Sequence, residues 1–390
     1  MKIGILVWDL NIKGGTQRQA LELAICLQKM GHNVVVYTTF YNKEKCYSNL
    51  VSKLKISYLF REGDQNSGIG FIEKFCKSFF YSIFRVTKLI DRDLDILNVH
   101  DRHVFICGAI YKKFINSSAT IVWTMNDLPN PNQGHNIFAN VFNKVLFLKI
   151  IENPLILDEV CVLDRVNNGK LKKVYGRQGV VVRSGLNIDD FQYIPKSDFN
   201  KVIRIFANSI FFPHRRLEDI IVALNILEKK QINFKFFHIG TNEFSPAYAD
   251  KIYKMVKRYN LNNNVRFLGA VSDEELINNY QVSDVFIYPN YPQTWGLSVF
   301  EAMACGTPVI VTTGCGASEV LTNEKNALII NPGAPNEIAI GVEKLVNSPA
   351  LWKKLSRNGR KFVENSIRWD IYTENMVKIF SKALEINNDT

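Results

Sequence analysis

The fold of this chain is decided by residues 284–311, which read DVFIYPNYPQTWGLSVFEAMACGTPVIV. An apolar run rich in β-branched and aromatic residues ends at Tyr288, a polar loop follows, and helical spacing begins near Gly296. The turn at residues 306–308 then leads into a second apolar run. Two apolar strands joined by a helix predict parallel pairing in a sheet that is covered on both faces.

The same alternation of short apolar runs and longer helical patterns extends along the whole chain. It predicts an α/β fold with two Rossmann-like, doubly wound domains, and a Gly turn near residues 183–191 separates them. Because such sheets bind ligands outside the carboxyl ends of their strands, two facing domains would form a cleft there. We predict domains at residues 1–185 and 186–365, and strands at residues 3–8, 33–39, 94–99, 120–124, 159–163, 179–182, 202–208, 233–239, 264–269, 284–288, 307–311 and 327–330.

The composition is that of a globular protein with a basic surface. The chain has 390 residues, 47% hydrophobic and 22% charged, with a formal net charge of +11. That length favours two domains over a single core. The basic residues are scattered, so the charge alone does not choose between nucleic acid, an anionic membrane and a phosphorylated small molecule. Without a dense basic tract, we expect no nucleic-acid partner.

Three features of the sequence favour a cytoplasmic protein. No apolar run approaches the roughly 18 residues that a membrane span needs. The first eight residues and the polar residues after them lack the layout of a signal peptide. The seven cysteines are odd in number and contain no C-x-x-C pair, which is typical of reduced, buried thiols.

The stretch from Phe71 to Ile90 has two interpretations. Its apolar residues, among them Phe75, Phe79 and Ile83, follow helical spacing, and basic residues flank them. An apolar stripe of this kind usually covers a sheet. A basic, aromatic-rich helix also suits an anionic membrane surface, so peripheral binding at the inner membrane face is the alternative.

Two glycines mark a candidate anion site in the first domain. Gly14 and Gly15 lie between the first strand and a helix that we predict at about residues 16–30, and Thr16 can cap that helix. A helix N-terminus offers free N–H groups to a phosphate or carboxylate. A plain turn with a helix cap is the alternative.

The second domain has a more specific candidate site. The amides of Gly296, Leu297 and Ser298 would point from a helix start at a diphosphate. Glu301 lies one turn further along, and its carboxylate can accept two hydroxyl hydrogen bonds, as a ribose diol would supply.

These features resemble the family 4 glycosyltransferases, which have the GT-B fold. The resemblance covers nearly the whole chain and implies retaining transfer of a sugar from a nucleotide-sugar donor, without a metal or other cofactor. It implies a donor on the second domain, a glycan or lipid-linked acceptor on the first, and a final helix, residues 366–390, that crosses back onto the first domain. The residues that carry it, besides those above, are Gly31-His32-Asn33-Val34, Ser184-Gly185, Phe267-Leu268-Gly269, Glu301-Ala302-Met303 and Trp369.

The resemblance also implies the contacts of the donor sugar and base. The family's usual Glu-x7-Glu pair has Glu301 as its second member, but Gln293 stands at the first position, near the donor sugar. A glutamine still hydrogen-bonds hydroxyls but carries no charge. Leu268, Trp295 and Glu319 complete the predicted donor pocket, although Glu319 also suits a helix start as a first-turn acid.

The diphosphate contact differs from the family's pattern. Arg215 aligns with the usual Lys and suits phosphate through its planar fork. The usual Arg position is occupied by Ser209 or Ile210, neither of which is charged, and Arg216 is a candidate to compensate. We predict that Arg215 and the amides near Gly296 stabilise the charge that grows on the leaving phosphate while the acceptor hydroxyl attacks on the same face.

Two further motifs follow strands of the first domain. Asn126 and Asp127 stand where the family often has His-Asp near the donor sugar, and a turn before Pro129 is the alternative. His100 and Asp101 are predicted to line the cleft towards the acceptor. No His or Cys cluster completes a metal-ligand set with them, so we predict no metal.

We keep two alternatives to a glycosyltransferase of cell-surface polysaccharide or glycoconjugate synthesis. One is another enzyme on the same fold, either a sugar-nucleotide epimerase or a phosphorylase. An epimerase would need no acceptor, and a phosphorylase would need a lysine that binds pyridoxal phosphate. The other is a non-catalytic binding protein, which the uncharged Gln293 and Asn126 favour. A fold alone does not decide between them.

Overall fold

A computed structural model describes most of the chain, in two compact units. The first unit comprises Met1–Ser184 with Trp369–Thr390, and the second comprises Gly185–Arg368. The residues described are 1–61, 82–101, 104–126, 128, 137–195, 202–291 and 295–388.

The first unit is built on a seven-stranded parallel sheet in the order β3-β2-β1-β4-β5-β6-β7. The strand order reverses between β1 and β4, as in doubly wound folds. The strands are β1 (Lys2–Asp9), β2 (Asn33–Tyr41), β3 (Ile56–Arg61), β4 (Ile96–His100), β5 (Thr120–Met125), β6 (Glu159–Val162) and β7 (Val180–Val181).

Helices cover both faces of this sheet. Along β1, Ile3 and Ile5 belong to one hydrophobic core and Leu6 to the other, because successive side chains of a strand point to opposite faces. The helices are α1 (Gly15–Lys29), α2 (Ser48–Val51), α3 (described over 82–89), α4 (Phe105–Phe114), α5 (Ile137–Ile151) and α6 (Arg165–Tyr175).

The second unit repeats the plan with a six-stranded parallel sheet in the order β10-β9-β8-β11-β12-β13. The strands are β8 (Ile203–Asn208), β9 (Phe234–Ile239), β10 (Val265–Gly269), β11 (Val285–Tyr288), β12 (Val309–Thr312) and β13 (Leu328–Ile330). The helices are α7 (Leu217–Lys229), α8 (Pro246–Arg258), α9 (Asp273–Val282), α10 (Leu297–Ala304), α11 (Pro335–Asn347) and α12 (Pro349–Ser366).

All the predicted strands are present, and β3 was missed. It is the edge strand of its sheet and pairs only with β2. Its sequence mixes Ser57 and Arg61 with apolar residues, and most of its side chains are only partly buried. An edge strand need not show the continuous apolar run of a strand buried on both faces, so the pattern gave no signal.

The last helix, α13 (Trp369–Asn388), belongs to the first unit. Its residues Tyr372, Met376 and Phe380 are buried in the core that α1 covers. The far end is held by Lys112, whose Nζ lies 2.5 Å from Asp158 Oδ1 and 3.3 Å from Asn387 Oδ1. Asp158 also accepts from the amide of Ile121 at 2.7 Å, so the Lys112–Asp158 pair joins α4, β5 and α13.

Among the described residues, no helix is long and apolar enough to cross a membrane. The stretch 71–81 of the predicted amphipathic helix lies outside the described residues. The part that is described packs as core: Ile83, Val86 and Ile90 are buried in the first unit. The membrane interpretation of the preceding residues stays a prediction.

We expect Lys112→Met to destabilise the first unit by about 3–5 kcal/mol, because it leaves the Asp158 carboxylate buried without its cation. The Lys112 and Asp158 side chains are only 9% and 11% exposed. The measurement is the shift of the urea transition. The matched control is Lys230→Met, which breaks an exposed pair with Glu343 and should cost no more than about 1 kcal/mol. Equal shifts for the two variants would contradict the role given to Lys112.

Candidate functional site

At the carboxyl edge of the second sheet, the strands β8 and β11 lie side by side. The chain leaves β8 towards β9 and β10 on one side and β11 towards β12 on the other, which makes this pair the topological switch point. Asn208 ends β8, and Ser209 and Arg215 follow it, while Asn290 and Gly296 follow β11. This edge is the candidate site.

The start of α10 has an open N-terminus. Gly296 precedes it with φ 78° and ψ 59°, a left-handed conformation that favours glycine. A Cβ here would lie 3.0 Å from Cys315 Sγ. No side-chain cap is found for this helix among the described residues, and the first two helical residues, Leu297 and Ser298, are half-buried. Their backbone N–H groups are therefore oriented as an anion site requires.

Trp295 has a packing role that the sequence did not predict. Its side chain is only 2% exposed, and its ring lies 4.7 Å from that of Phe300. The ring anchors the loop to α10 and offers no surface to a donor, so the predicted contact of this side chain is not favoured.

Glu301 is held by a chain of neutral hydrogen bonds. The Tyr280 hydroxyl donates to Glu301 Oε2 at 2.8 Å, and Asn208 Nδ2 donates to the same hydroxyl at 3.1 Å. Burial, with the nearby Glu301 charge, raises the pKa of Tyr280, so the hydroxyl keeps its proton. The carboxylate is half-buried and oriented at the carboxyl edge by groups that carry no charge.

Arg215 is held in a similar way. Its Nη1 donates to the Tyr288 hydroxyl at 3.3 Å. When the Asn290 amide is oriented to satisfy both of its atoms, it donates to the Arg215 carbonyl at 3.2 Å and accepts from Arg215 Nη1 at 2.8 Å. Asn290 is 1% exposed, and burial raises the pKa of Tyr288. Neither partner carries a charge, so both contacts position the guanidinium without neutralising it.

The supporting residues Tyr280, Tyr288 and Asn290 were missed by sequence reasoning. Tyr280 looks like an ordinary apolar position of a helix, and Tyr288 like the end of an apolar strand. The available signal was Asn290, a polar residue two positions after the end of a fully buried strand.

Arg216 does not share the task of Arg215. Its φ is 52°, a left-handed conformation, and it immediately precedes α7. Its Nε lies 2.6 Å from Asp219 Oδ2 and its Nη2 3.0 Å from Asp219 Oδ1. Because this bidentate pair satisfies the guanidinium, the structure does not support Arg216 as a substitute cation for a ligand.

Three other predicted donor residues lie at or near the same edge. Ser209 follows β8, and its amide donates to the Ile239 carbonyl at 2.9 Å. Leu268 is 36% exposed near the end of β10. Glu319 is half-buried in a single 3₁₀ turn that follows β12. Gln293 lies outside the described residues, so its contact stays a prediction.

The first unit presents a second helix start. α1 begins at Gly15 with Gly14 as its N-cap residue and no side-chain cap, so the predicted capping by Thr16 is wrong. Thr16 already lies inside the helix. A Cβ on Gly15 would meet no atom within 4 Å, which leaves open space in front of the first turn.

His100 is buried and does not line an open surface as predicted. Its side chain is 0% exposed, and its Nε2 lies 2.7 Å from Asn98 Oδ1. Burial lowers its pKa to about 3, so the ring is neutral. Asp101, at φ 87°, accepts at its carbonyl from Trp123 Nε1 at 3.0 Å. Both residues form hydrogen bonds at the carboxyl end of β4.

Asn126 is 8% exposed directly after β5, and its Nδ2 is buried with no hydrogen-bond partner among the residues that the structure describes. Its neighbour Asp127 lies outside the described residues. No group of three His, Cys, Asp or Glu side chains in the described ranges could hold a metal ion.

Comparison with known proteins identifies two family models. Residues 13–150 match the model of Glycosyltransferase Family 4, and residues 190–362 match that of glycosyl transferases group 1. Each match falls mainly on one of the two units, and together they cover most of the chain.

Individual proteins are similar over different lengths. An uncharacterized glycosyltransferase of Methanocaldococcus jannaschii is 23% identical over 99% of each chain. CapM, a glycosyltransferase of capsular polysaccharide biosynthesis from Staphylococcus aureus, is 30% identical over 43% of each chain. The crystal structure of HepE from Anabaena with UDP and glucose has a TM-score of 0.78 at 16% identity, covering 98% of this chain and 100% of HepE. HepE has also been solved with UDP-glucose.

We expect Gly296→Ala to destabilise the second unit by about 2–4 kcal/mol. The reasons are a left-handed backbone, which costs about 1–2 kcal/mol for other residues, and overpacking against Cys315 and Tyr288. The measurement is the urea transition. Gly31→Ala is the matched control: its φ is 85°, but a Cβ there has nothing within 4 Å, so only the backbone cost remains. A smaller effect at Gly296 than at Gly31 would contradict this account.

Proposed function

Since this chain belongs to the family 4 glycosyltransferases of the GT-B fold, we propose that it transfers a hexosyl group from a nucleotide sugar to a hydroxyl acceptor, with retention of anomeric configuration and without a metal. The observation that carries the proposal is the pair of oriented charges at the carboxyl edge of the second sheet. Glu301 is held there by Tyr280, and Arg215 by Tyr288 and Asn290.

Each part of a nucleotide sugar has a matching group at this edge. The diphosphate binds the amides of Leu297 and Ser298 and the Arg215 guanidinium, because both are donors to anions. The ribose diol donates to Glu301. The exposed side of Leu268 packs against the base, while Gln293 and Glu319 contact the sugar. We propose a uridine nucleotide, since HepE, which shares the fold, binds UDP and UDP-glucose.

The mechanism follows from where charge develops. As the bond from the anomeric carbon to the phosphate oxygen breaks, negative charge grows on the diphosphate. Fixed N–H dipoles and the positive Arg215 stabilise that charge more in the transition state than in the ground state. The acceptor oxygen forms its bond on the face that the phosphate leaves, and the proton of the acceptor hydroxyl passes to a phosphate oxygen. Asn126 and Asp127 help to position the sugar without taking the proton.

The acceptor is a glycan or a lipid-linked sugar of cell-surface polysaccharide or glycoconjugate synthesis. The relative CapM, named for capsular polysaccharide biosynthesis, supports this class of acceptor. A lipid-linked acceptor would place the enzyme at the cytoplasmic membrane surface, where the net charge of +11 favours anionic lipids.

The test is turnover of UDP-sugars against a panel of glycan and lipid-linked acceptors in the presence of EDTA. We expect a product whose anomeric proton coupling, measured by NMR, matches that of the donor. An inverted product would overturn retention, and activity lost in EDTA and restored by manganese would overturn metal independence. Binding of nucleotide without transfer or donor hydrolysis would identify a binding protein.

We expect Glu301→Ala to weaken UDP binding by roughly 10- to 150-fold, because a hydrogen bond to a charged group is worth about 1.5–3 kcal/mol. Calorimetry measures the affinity, and circular dichroism checks the fold. The matched control is Glu364→Ala, which removes an exposed carboxylate on α12 that pairs with Arg360. A folded Glu301→Ala protein that binds UDP as the parent does would place the ribose elsewhere.

Arg215→Ala should lower kcat as well as affinity, because the guanidinium faces charge that grows as the bond breaks. We expect a loss in kcat of roughly 100-fold, the scale found for removing one donor to a developing oxyanion. Steady-state kinetics with a saturating UDP-sugar measures it. Arg357→Ala, at an exposed position of α12, is the control. A variant that changes only KM would show that Arg215 binds the substrate and transition state equally.

A further inference from the structure

A buried histidine lies directly behind the candidate donor site. His238, on β9, is 0% exposed and belongs to no part of the mechanism above. Its Nε2 lies 3.3 Å from the Oγ of Ser209, the residue that follows β8. Ser209 stands at one of the two positions where the family's usual arginine would be expected, so the chain has an uncharged hydroxyl close to where a cation is usual.

The surroundings of His238 hold its ring in place. The ring centroid lies 4.9 Å from that of Phe211 and 5.8 Å from that of Phe267, both in edge-on arrangements. Burial lowers the pKa of His238 to about 3, so the ring is neutral and carries one N–H. The geometry of its two nitrogens then decides where that proton lies.

The proton belongs on Nε2. His238 Nδ1 is buried and has no hydrogen-bond partner in the described part of the chain, whereas Nε2 faces Ser209. A buried N–H without an acceptor is rare in proteins, and an unpaired ring nitrogen without hydrogen is the less costly choice. A backbone hydrogen bond with Ser209 acts to raise the pKa of His238, which agrees with a ring that donates towards Ser209.

This assignment fixes the direction of the Ser209 hydroxyl. Its oxygen accepts from His238, so its hydrogen points away from the ring. Within the described residues, no acceptor for that hydrogen is found. The Ser209 backbone is held by its amide, which donates to the Ile239 carbonyl, and Gly240 packs so closely that a Cβ there would lie only 1.9 Å from the Ser209 carbonyl oxygen.

We propose that the Ser209 hydroxyl donates a hydrogen bond to a phosphate oxygen of the donor nucleotide, and that His238 is the positioning residue that orients it. The pair replaces part of the phosphate contact that the missing arginine would make, with a directed hydrogen bond instead of a positive charge. This inference rests on the proposed donor site and adds to it a phosphate ligand and the buried group that acts through that ligand.

The test compares a ligand that has phosphates with one that lacks them. UDP affinity is measured by calorimetry, and uridine affinity by ligand-observed NMR. Ser209→Ala should weaken UDP binding by roughly 10-fold or more and leave uridine binding within about 2-fold, because a hydrogen bond to a charged acceptor is lost. Ser348→Ala is the control: it removes a hydroxyl that caps α12 and should change neither affinity.

A double-mutant cycle tests the role of His238. His238→Phe keeps the ring shape and removes the donor, and it should weaken UDP binding by roughly 2- to 10-fold, the scale of a neutral hydrogen bond. In the Ser209→Ala background the same change should have no further effect on UDP binding. His238→Gln, which restores an N–H donor, should recover most of the affinity and serves as a second variant if His238→Phe does not fold.

Three outcomes would overturn the inference while leaving the donor site intact. These are UDP binding unchanged in Ser209→Ala, equal losses for UDP and uridine, and additive losses in the double variant. A parent protein that binds no UDP at all would instead overturn the proposed donor, so the two failures are distinguishable.

Discussion

The burial of parallel strands on both faces is the constraint on which the rest of this structure depends. The interior strands β1, β4, β5, β8, β11 and β12 are mostly buried and largely apolar, and helices cover them on each side. Their backbone groups are satisfied within the sheet, so polar chemistry is confined to the ends of the strands. Arg215, Asn290 and the first amides of α10 accordingly lie after the carboxyl ends of β8 and β11, and Glu301 lies one turn inside α10.

The second unit supports its site charges with neutral, buried hydrogen-bonding groups. Tyr280 donates to Glu301, while Tyr288 and Asn290 contact Arg215. A counter-ion in these positions would reduce the charge available to a ligand, whereas a neutral donor or acceptor fixes only the geometry. Arg216 shows the contrast, since Asp219 binds it in a bidentate pair that neutralises its charge at the start of α7.

The differences from the family's usual residues share a physical theme. Gln293, Asn126 and Ser209 are uncharged where a carboxylate, a titratable ring or a cation is more usual. In the second unit, His238 behind Ser209 and Tyr280 behind Glu301 are neutral, buried groups that contact two of the predicted donor residues.

Much of this protein could be predicted from local sequence patterns. Apolar runs identified every strand of both sheets except β3, because strands buried on both faces must be continuously apolar. The Gly296–Glu301 segment predicted a helix start with a carboxylate one turn inside it, since both depend only on residues close in sequence.

Tertiary structure alone decided which side chains support the site and which are merely buried. Tyr280 and Glu301 are 21 residues apart, and Arg215 and Tyr288 are 73 apart, so no local pattern relates them. Trp295 and His100 have the residue types of ligand contacts, yet burial assigns them to packing and strand ends. Burial and distant hydrogen bonds depend on how the strands are ordered in the sheet, and that order is set by long-range pairing that the spacing of residues along the chain does not contain.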